Sequence, residues 1–293
     1  MRKDVAFYSQ GFKLAGHLYV PDGRTQGPKR PGVVIGLGYT GIKEHRAPEI
    51  APWLTGAGYV VLAFDYRGFG ASEGPRWRLI PMEQVQDIRS AIDFLSQQPE
   101  VDSAHIGLFG NSFGGANVIY AAALDQRAKC VVSAGPFGDG ERWLKRLRRF
   151  WEWKEFLKTL EEDRLARALT GKSRYVHPLE IVLAPSDAVE AFNAAAAAFP
   201  ERNCQLPLET GEAILTYKPE AVVHMISPRP VLFFAMGNDT ISVVDECLSM
   251  YEKAQQPKKL VVFDDALHFD MYRSPFFERM MEESVGWYQE YLA

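Results

Sequence analysis

The chain has 293 residues, 47% of them apolar, enough for one large domain with a substantial buried core. A formal net charge of −4 provides no overall field for nucleic acid or an anionic membrane. No apolar run reaches the roughly 18 residues of a spanning helix, and three scattered cysteines, Cys130, Cys204 and Cys247, form neither a disulfide framework nor a CxxC metal site.

Residues 1–10 lack the apolar core of a signal peptide and read as a strand. Together with the cysteine usage, this gives the expectation of a reducing cytoplasm. Residues 3–9 and 12–20 alternate apolar and polar positions around Gly11, as a hairpin would. Apolar runs follow at 32–37, 59–65, 105–109, 129–134, 230–236 and 259–263, with helical patterns near 43–57, 82–98 and 113–124 between them. This alternation predicts an α/β fold, a mostly parallel sheet covered by helices on both faces. The segment 137–219 breaks it. Trp143, Leu147, Phe150, Trp153, Leu157 and Leu160 recur three or four apart, as on one helix face, and a helical stretch holds Ala194 to Ala198. An insertion of this length needs helices of its own, so 1–136 and 220–293 are expected to form the core and 137–219 a helical cap. The aromatic stripe is the cap's packing face, with Trp143, Phe150 and Trp153 as candidates to line a substrate pocket. Lys145, Arg146, Arg148 and Arg149 read as a solvated face.

Ile106 to Gly115 carries the chemistry. An apolar strand ends in Gly110-Asn111-Ser112-Phe113-Gly114, and a small-residue helix follows at once. This is the G-x-S-x-G elbow in its strand–turn–helix context, with the serine hydroxyl exposed at the tip of a tight turn. The helix N-terminus beside Ser112 offers free N–H groups to developing negative charge.

A serine hydroxyl needs a base within hydrogen-bond reach. Of six histidines, His17 lies in the hairpin, His45 in the first helix, His105 at the far end of the elbow strand, His177 in the cap and His224 ahead of the 230–236 strand. His268 alone lies in a loop just after the last apolar run, at the sheet edge where active sites gather. The imidazole needs an acid to orient it. Asp239, in the loop after 231–236, fits; Asp245 falls inside the next helix, and Asp264, Asp265 and Asp270 lie too close in sequence to His268. An oxyanion needs preorganised donors. One is the backbone N–H of Phe113. The other comes from the loop Gly38-Tyr39-Thr40-Gly41, through the Tyr39 backbone or its phenol.

Four segments resemble the α/β-hydrolase superfamily: Gly36 to Glu44, Phe64 to Ser72, the elbow, and Pro228-Arg229-Pro230 leading to Gly237-Asn238-Asp239. They look like its bacterial hydrolases near dienelactone hydrolase and the catalytic domain of Xaa-Pro dipeptidyl peptidases. The order Ser112, Asp239, His268 is that of the superfamily. Relatives often have His-Gly at the oxyanion loop and a proline soon after the acid; here the first pair is Leu37-Gly38, and Asp239 to Val243 contains no proline. Asp65 with Arg67, and Asp87 with Arg89, are expected as local structural pairs.

The resemblance implies a serine hydrolase of the carboxylesterase type, acting on a small acyl ester or thioester. An amide, a peptide, a carbon–carbon bond beside a carbonyl, or acyl transfer stay open, as does a non-catalytic binding role. No P-loop and no metal-ligand spacing is present, so no cofactor is expected. Neither nucleic acid nor membrane is expected as a partner. A homodimer is expected by analogy with the fold.

Overall fold

A computed structural model of the chain describes residues 1–21 and 28–292. In chain order the elements are β1 (Arg2–Ser9), β2 (Phe12–Tyr19), β3 (Arg30–Gly36), α1 (Ala47–Gly56), β4 (Val60–Phe64), α2 (Pro81–Ser96), β5 (Val101–Asn111), α3 (Phe113–Leu124) and β6 (Ala128–Ala134). The insertion then contributes α4 (Gly140–Arg146), α5 (Phe150–Thr170), β7 (Tyr175–Val176), α6 (Pro178–Ile181), α7 (Ser186–Ala198), β8 (Leu206–Pro207) and α8 (Glu209–Leu215). The chain returns to the sheet with β9 (Val231–Met236), α9 (Val244–Lys253), β10 (Lys258–Phe263) and α10 (Phe276–Tyr291).

The main sheet runs β1-β2-β4-β3-β5-β6-β9-β10. β1 and β2 form the expected hairpin, and β2 joins β4 antiparallel. Gln10 and Gly11 both take positive φ, 47° and 89°, the geometry whose twist suits a two-residue hairpin. The strands from β3 onward pair parallel. β4 and β9 are buried at every residue, as strands covered on both faces should be. α1 packs with α10 on one face, and α2, α3 and α9 cover the other. β3 has β4 on one side and β5 on the other, so the chain changes direction across the sheet at β3. The crevice beyond the carboxyl ends of β3 and β5 is where such sheets bind ligands. The loop holding Tyr39 leaves one of these strands, and Ser112 follows the other.

Several expectations need correction. The first helix begins at Ala47, so His45 lies in the turn before it, its N–H bonded to the Ile42 carbonyl at 3.1 Å. A proline in its first turn suits Pro48, which has no N–H to leave unpaired. The aromatic stripe is not one helix face. Residues 147–149 separate α4 from α5, and the Glu152 carboxylate accepts the Arg149 N–H at 2.7 Å to start the second helix. Trp153, Phe156 and Leu160 turn inward, while Phe150 is 68% exposed. The apolar period runs across two helices whose phases are unrelated.

The charged pairs are also regrouped. Asp65 pairs with Lys43 at 2.7 Å, not with Arg67. Arg67 forks onto Asp87, with Nη2 at 2.6 Å and Nε at 3.0 Å, and reaches Ser9 and Gln10 of the hairpin. Arg89 lies 3.7 Å from Asp125 instead. Of the basic residues in the insertion, Arg146 binds Asp245, while Arg148 donates to the carbonyls of Leu144, Glu180 and Ile181. Among the described residues no helix is long and apolar enough to cross a membrane.

Asp87 and Arg67 are both at least 96% buried, so removing one leaves the other charged, desolvated and alone. Asp87→Ala is expected to lower unfolding free energy by about 3–5 kcal/mol, measured by urea denaturation. Arg89→Ala, at a half-exposed site, is expected to cost less than about 1 kcal/mol in the same assay.

Candidate active site

The turn after β5 holds Ser112 at φ 54°, ψ −124°, a conformation that costs a non-glycine residue about 1–3 kcal/mol. Packing on either side enforces it. A Cβ on Gly114 would lie 2.1 Å from the Gly36 carbonyl oxygen and 2.5 Å from that of Leu37. A Cβ on Gly110 would lie 2.3 Å from the Gly114 oxygen. The Ser112 N–H is secured by the Ala134 carbonyl at 2.7 Å, across the neighbouring strand β6.

Ser112 Oγ lies 2.9 Å from His268 Nε2. His268 Nδ1 lies 2.6 Å from Asp239 Oδ2. The other Asp239 oxygen accepts the backbone N–H groups of Ile241 and Ser242, both at 2.8 Å. Asp239 and His268 are about 95% buried. Three residues from three separate loops thus form one hydrogen-bonded chain. An imidazole so placed can take a proton from the serine while the carboxylate fixes its tautomer. The competing acids are elsewhere: Asp245 binds Arg146, Asp264 and Asp265 are exposed, and Asp270 accepts the Leu267 N–H.

The backbone N–H groups of Tyr39 and Phe113 have no protein acceptor among the described residues. Phe113 is the first residue of α3, where an N–H is free by geometry. The Tyr39 phenol donates to the Pro178 carbonyl at 3.0 Å, so it is committed to the insertion. That leaves its backbone N–H as the donor available beside the serine.

Ser112 and His268 open into a cavity of about 380 Å³. The core supplies Tyr39, Asn111 and Tyr272 to its wall, and the insertion supplies Trp143 together with one face of α7. Ala188, Ala191, Ala195 and Ala198 recur three or four residues apart on that face. Trp143 is held by its indole N–H, which donates to the Ile241 carbonyl at 2.7 Å. Phe150 and Trp153, proposed with it for the pocket wall, do not line this cavity. Phe150 faces solvent, and Trp153 packs beside Phe156 with ring centres 6.0 Å apart.

Sequence reasoning missed the polar end of the cavity. Asn111 bonds the Tyr272 hydroxyl, and the Arg46 guanidinium lies 4.0 Å from the Tyr272 ring centre while pairing with Glu49 at 2.9 Å. Burial, then the charges of Arg202 and Arg46, push the His45 imidazole down to about 3, so it is neutral at pH 7. The cysteines are all free and buried. Among the described residues no group of three His, Cys, Asp or Glu side chains could hold a metal ion.

Comparison with known proteins gives a consistent picture. The sequence profile of the X-Pro dipeptidyl-peptidase family (S15) matches residues 10–269. The chain is 34% identical to an uncharacterized 31.7 kDa protein of Escherichia coli from the traX-finO intergenic region, over 97% of both chains. It is 28% identical to a thiohydrolase of Aspergillus aculeatus, covering 97% of this chain and 91% of that one. The solved α/β-hydrolase GrgF of Penicillium shares the fold with a TM-score of 0.83, at 23% identity, over 100% of this chain and 99% of that one.

Gly114→Ala is expected to destabilise the protein by about 3 kcal/mol, since backbone oxygens cannot yield to the added methyl. Gly286→Ala, on the exposed face of α10 with open space around it, is expected to stabilise by up to about 1 kcal/mol. Thermal melts of the two variants test the contrast.

Proposed function

Because the chain belongs to the X-Pro dipeptidyl-peptidase (S15) family of α/β-hydrolases, we propose that it is a serine hydrolase cleaving a carboxylic ester or thioester through an acyl-enzyme. The observation that carries this reading is the unbroken chain from Ser112 Oγ through His268 to Asp239, opening into an apolar cavity. Ser112 Oγ attacks the carbonyl carbon as His268 Nε2 takes its proton. The oxygen of the tetrahedral intermediate accepts the backbone N–H groups of Tyr39 and Phe113. Collapse expels the alcohol or thiol, which receives the proton from His268. Water, deprotonated by the same imidazole, then releases the acid and restores Ser112. A cavity of about 380 Å³ suits a small or medium acyl group.

The family's name points to peptides, and the cavity's charge argues against that substrate here. A dipeptidyl peptidase must anchor a free, cationic substrate amine. Among the described residues Glu49 is the one acidic side chain lining this cavity, and Arg46 already holds it. Three arginines, Arg46, Arg202 and Arg273, line the same space. An ammonium group would meet repulsion there. The relative from Aspergillus aculeatus, a thiohydrolase by name, supports the thioester reading.

Ser112→Ala is expected to lower kcat on p-nitrophenyl and thiocholine esters by at least about 10³-fold and to abolish fluorophosphonate labelling. Asp239→Asn is expected to lower kcat by about 10³–10⁴-fold while leaving the fold intact. Full turnover by Ser112→Ala would refute the assignment. Faster release of X-Pro-p-nitroanilide than of any ester would replace the ester reading with the peptidase one.

A further inference from the structure

Among the described residues Arg202 is the one strongly buried arginine without a carboxylate or carbonyl partner for its side chain. It ends the short 3-10 turn Pro200–Arg202 after α7 and is 93% buried. Its Nε and Nη1 are fully enclosed without a hydrogen-bond partner, and among the described residues no carboxylate pairs with it. The groups acting on its charge are Arg46, Cys204 and Tyr272, none of them a carboxylate. The Phe192 ring centre lies 5.5 Å from its guanidinium carbon, near the limit of a useful cation–π contact.

Arg67, equally buried, and the partly buried Arg142 and Arg229 behave differently. Arg67 forks onto Asp87, Arg142 onto Glu220 and Glu246, and Arg229 donates to the carbonyls of Ala122, Asp125 and Ala128. A long cationic side chain with no partner ordinarily extends its head to water. Arg202 instead stays inside, where it lines the catalytic cavity together with Arg46 and Tyr272 and also a smaller pocket with His177 and Cys204. Burial and the neighbouring Arg46 bring its acidity down to about 10, so it still carries its proton at pH 7. With Arg46 matched to Glu49, Arg273 paired with Asp270 at 3.4 Å and His45 neutral, Arg202 is the cavity-lining cation without a carboxylate partner among the described residues. One anionic group in the cavity would neutralise it.

We propose that Arg202 receives a carboxylate on the substrate, at the end of the acyl portion remote from the carbonyl attacked by Ser112. The preferred substrates are then monoesters or monothioesters of dicarboxylic acids. A guanidinium stays charged at pH 7 and forms charge-assisted hydrogen bonds to carboxylate oxygens. The apolar stretch between Ser112 and Arg202, walled by the alanines of α7, would hold the connecting methylenes. This inference rests on the ester or thioester reading for its turnover assay and stands on a separate binding measurement as well.

The turnover assay compares mono-p-nitrophenyl esters of straight-chain dicarboxylic acids, from succinate to suberate, with the p-nitrophenyl esters of monocarboxylic acids of equal chain length. One or two chain lengths are expected to favour the dicarboxylate, with the gain in KM. Arg202→Gln is expected to lower that kcat/KM ratio by about 10- to 100-fold, the effect of a lost charge-assisted pair. Arg202→Lys is expected to restore part of it. A ratio at or below one at every chain length would overturn the inference, as would an equal loss on both ester classes in Arg202→Gln. The second measurement titrates free succinate to suberate into the Ser112→Ala protein by calorimetry. Binding at a matched chain length that disappears in Ser112→Ala/Arg202→Gln supports the site, and absence of binding overturns it. If no ester of either class is cleaved, the hydrolase reading fails, and the titration alone decides the role of Arg202.

Discussion

Gly36, at the end of β3, and Gly114, in the first turn of α3, meet backbone to backbone. No side-chain carbon fits between them, and the same is true between Gly110 and Gly114. This close approach holds the elbow. It joins three segments, β3 with its following loop, β5 and α3, without any flexible group between them. Ser112 and the loop carrying Tyr39 therefore share one rigid frame. The strained backbone at Ser112 can persist because packing on both sides over-determines it. The proposed nucleophile and the backbone N–H groups proposed to stabilise its oxyanion owe their relative position to the main chain, which a surface substitution cannot relax.

The buried charges extend this frame outward. Asp65 accepts the backbone N–H groups of Lys43 and Ala71 as well as the Lys43 ammonium, and so ties the loop after β4 to the segment following the Tyr39 loop. Burial raises the Asp65 carboxyl above its ordinary range, and Lys43 opposes that shift. Glu246 is fully buried; it accepts the N–H groups of Gly138 and Asp139 and both arms of Arg142, clamping the start of the insertion to α9. Ion pairs of this kind contribute little net stability against an apolar alternative, because desolvation offsets much of their attraction. Their effect is positional. Each fixes a loop at the carboxyl edge of the sheet, where the site lies.

The sheet and the elbow were legible because their signals are local. Apolar runs bounded by glycine and proline mark the strands, and Gly110 and Gly114 flank the serine within five residues. His268 and Asp239 could be picked because each follows an apolar run at the same edge of a parallel sheet. Charge partners were not legible in this way. Arg67 has Asp65 two residues away yet forks onto Asp87, twenty residues on, because α2 packs its inner face beside the loop after β4. The spacing of Trp143, Phe150 and Trp153 suggested one face, but the turn at 147–149 resets the helical phase, and nothing in an apolar period records that. The polar end of the cavity was the least legible of all. Asn111, Tyr272, Arg46 and Arg202 come from four distant segments; Asn111 fills a variable position of the elbow, and the other three belong to no motif.

α7 shows how the insertion shapes the site without contributing reactive groups. Apart from Phe192, its cavity-lining positions are alanines, which take helical geometry readily and leave space where a leucine would fill it. Larger residues would serve the helix equally well, so the small ones mark the space as the feature being kept. Tyr39 connects this wall to the chemistry. Its phenol is bonded to Pro178 at the start of α6, and its backbone belongs to the loop beside Ser112. That hydrogen bond ties the insertion to the loop beside Ser112. In the proposed reaction the wall would meet the acyl group and the tied loop the oxyanion, so an insertion to which no catalytic side chain is assigned would still bear on which acyl groups react.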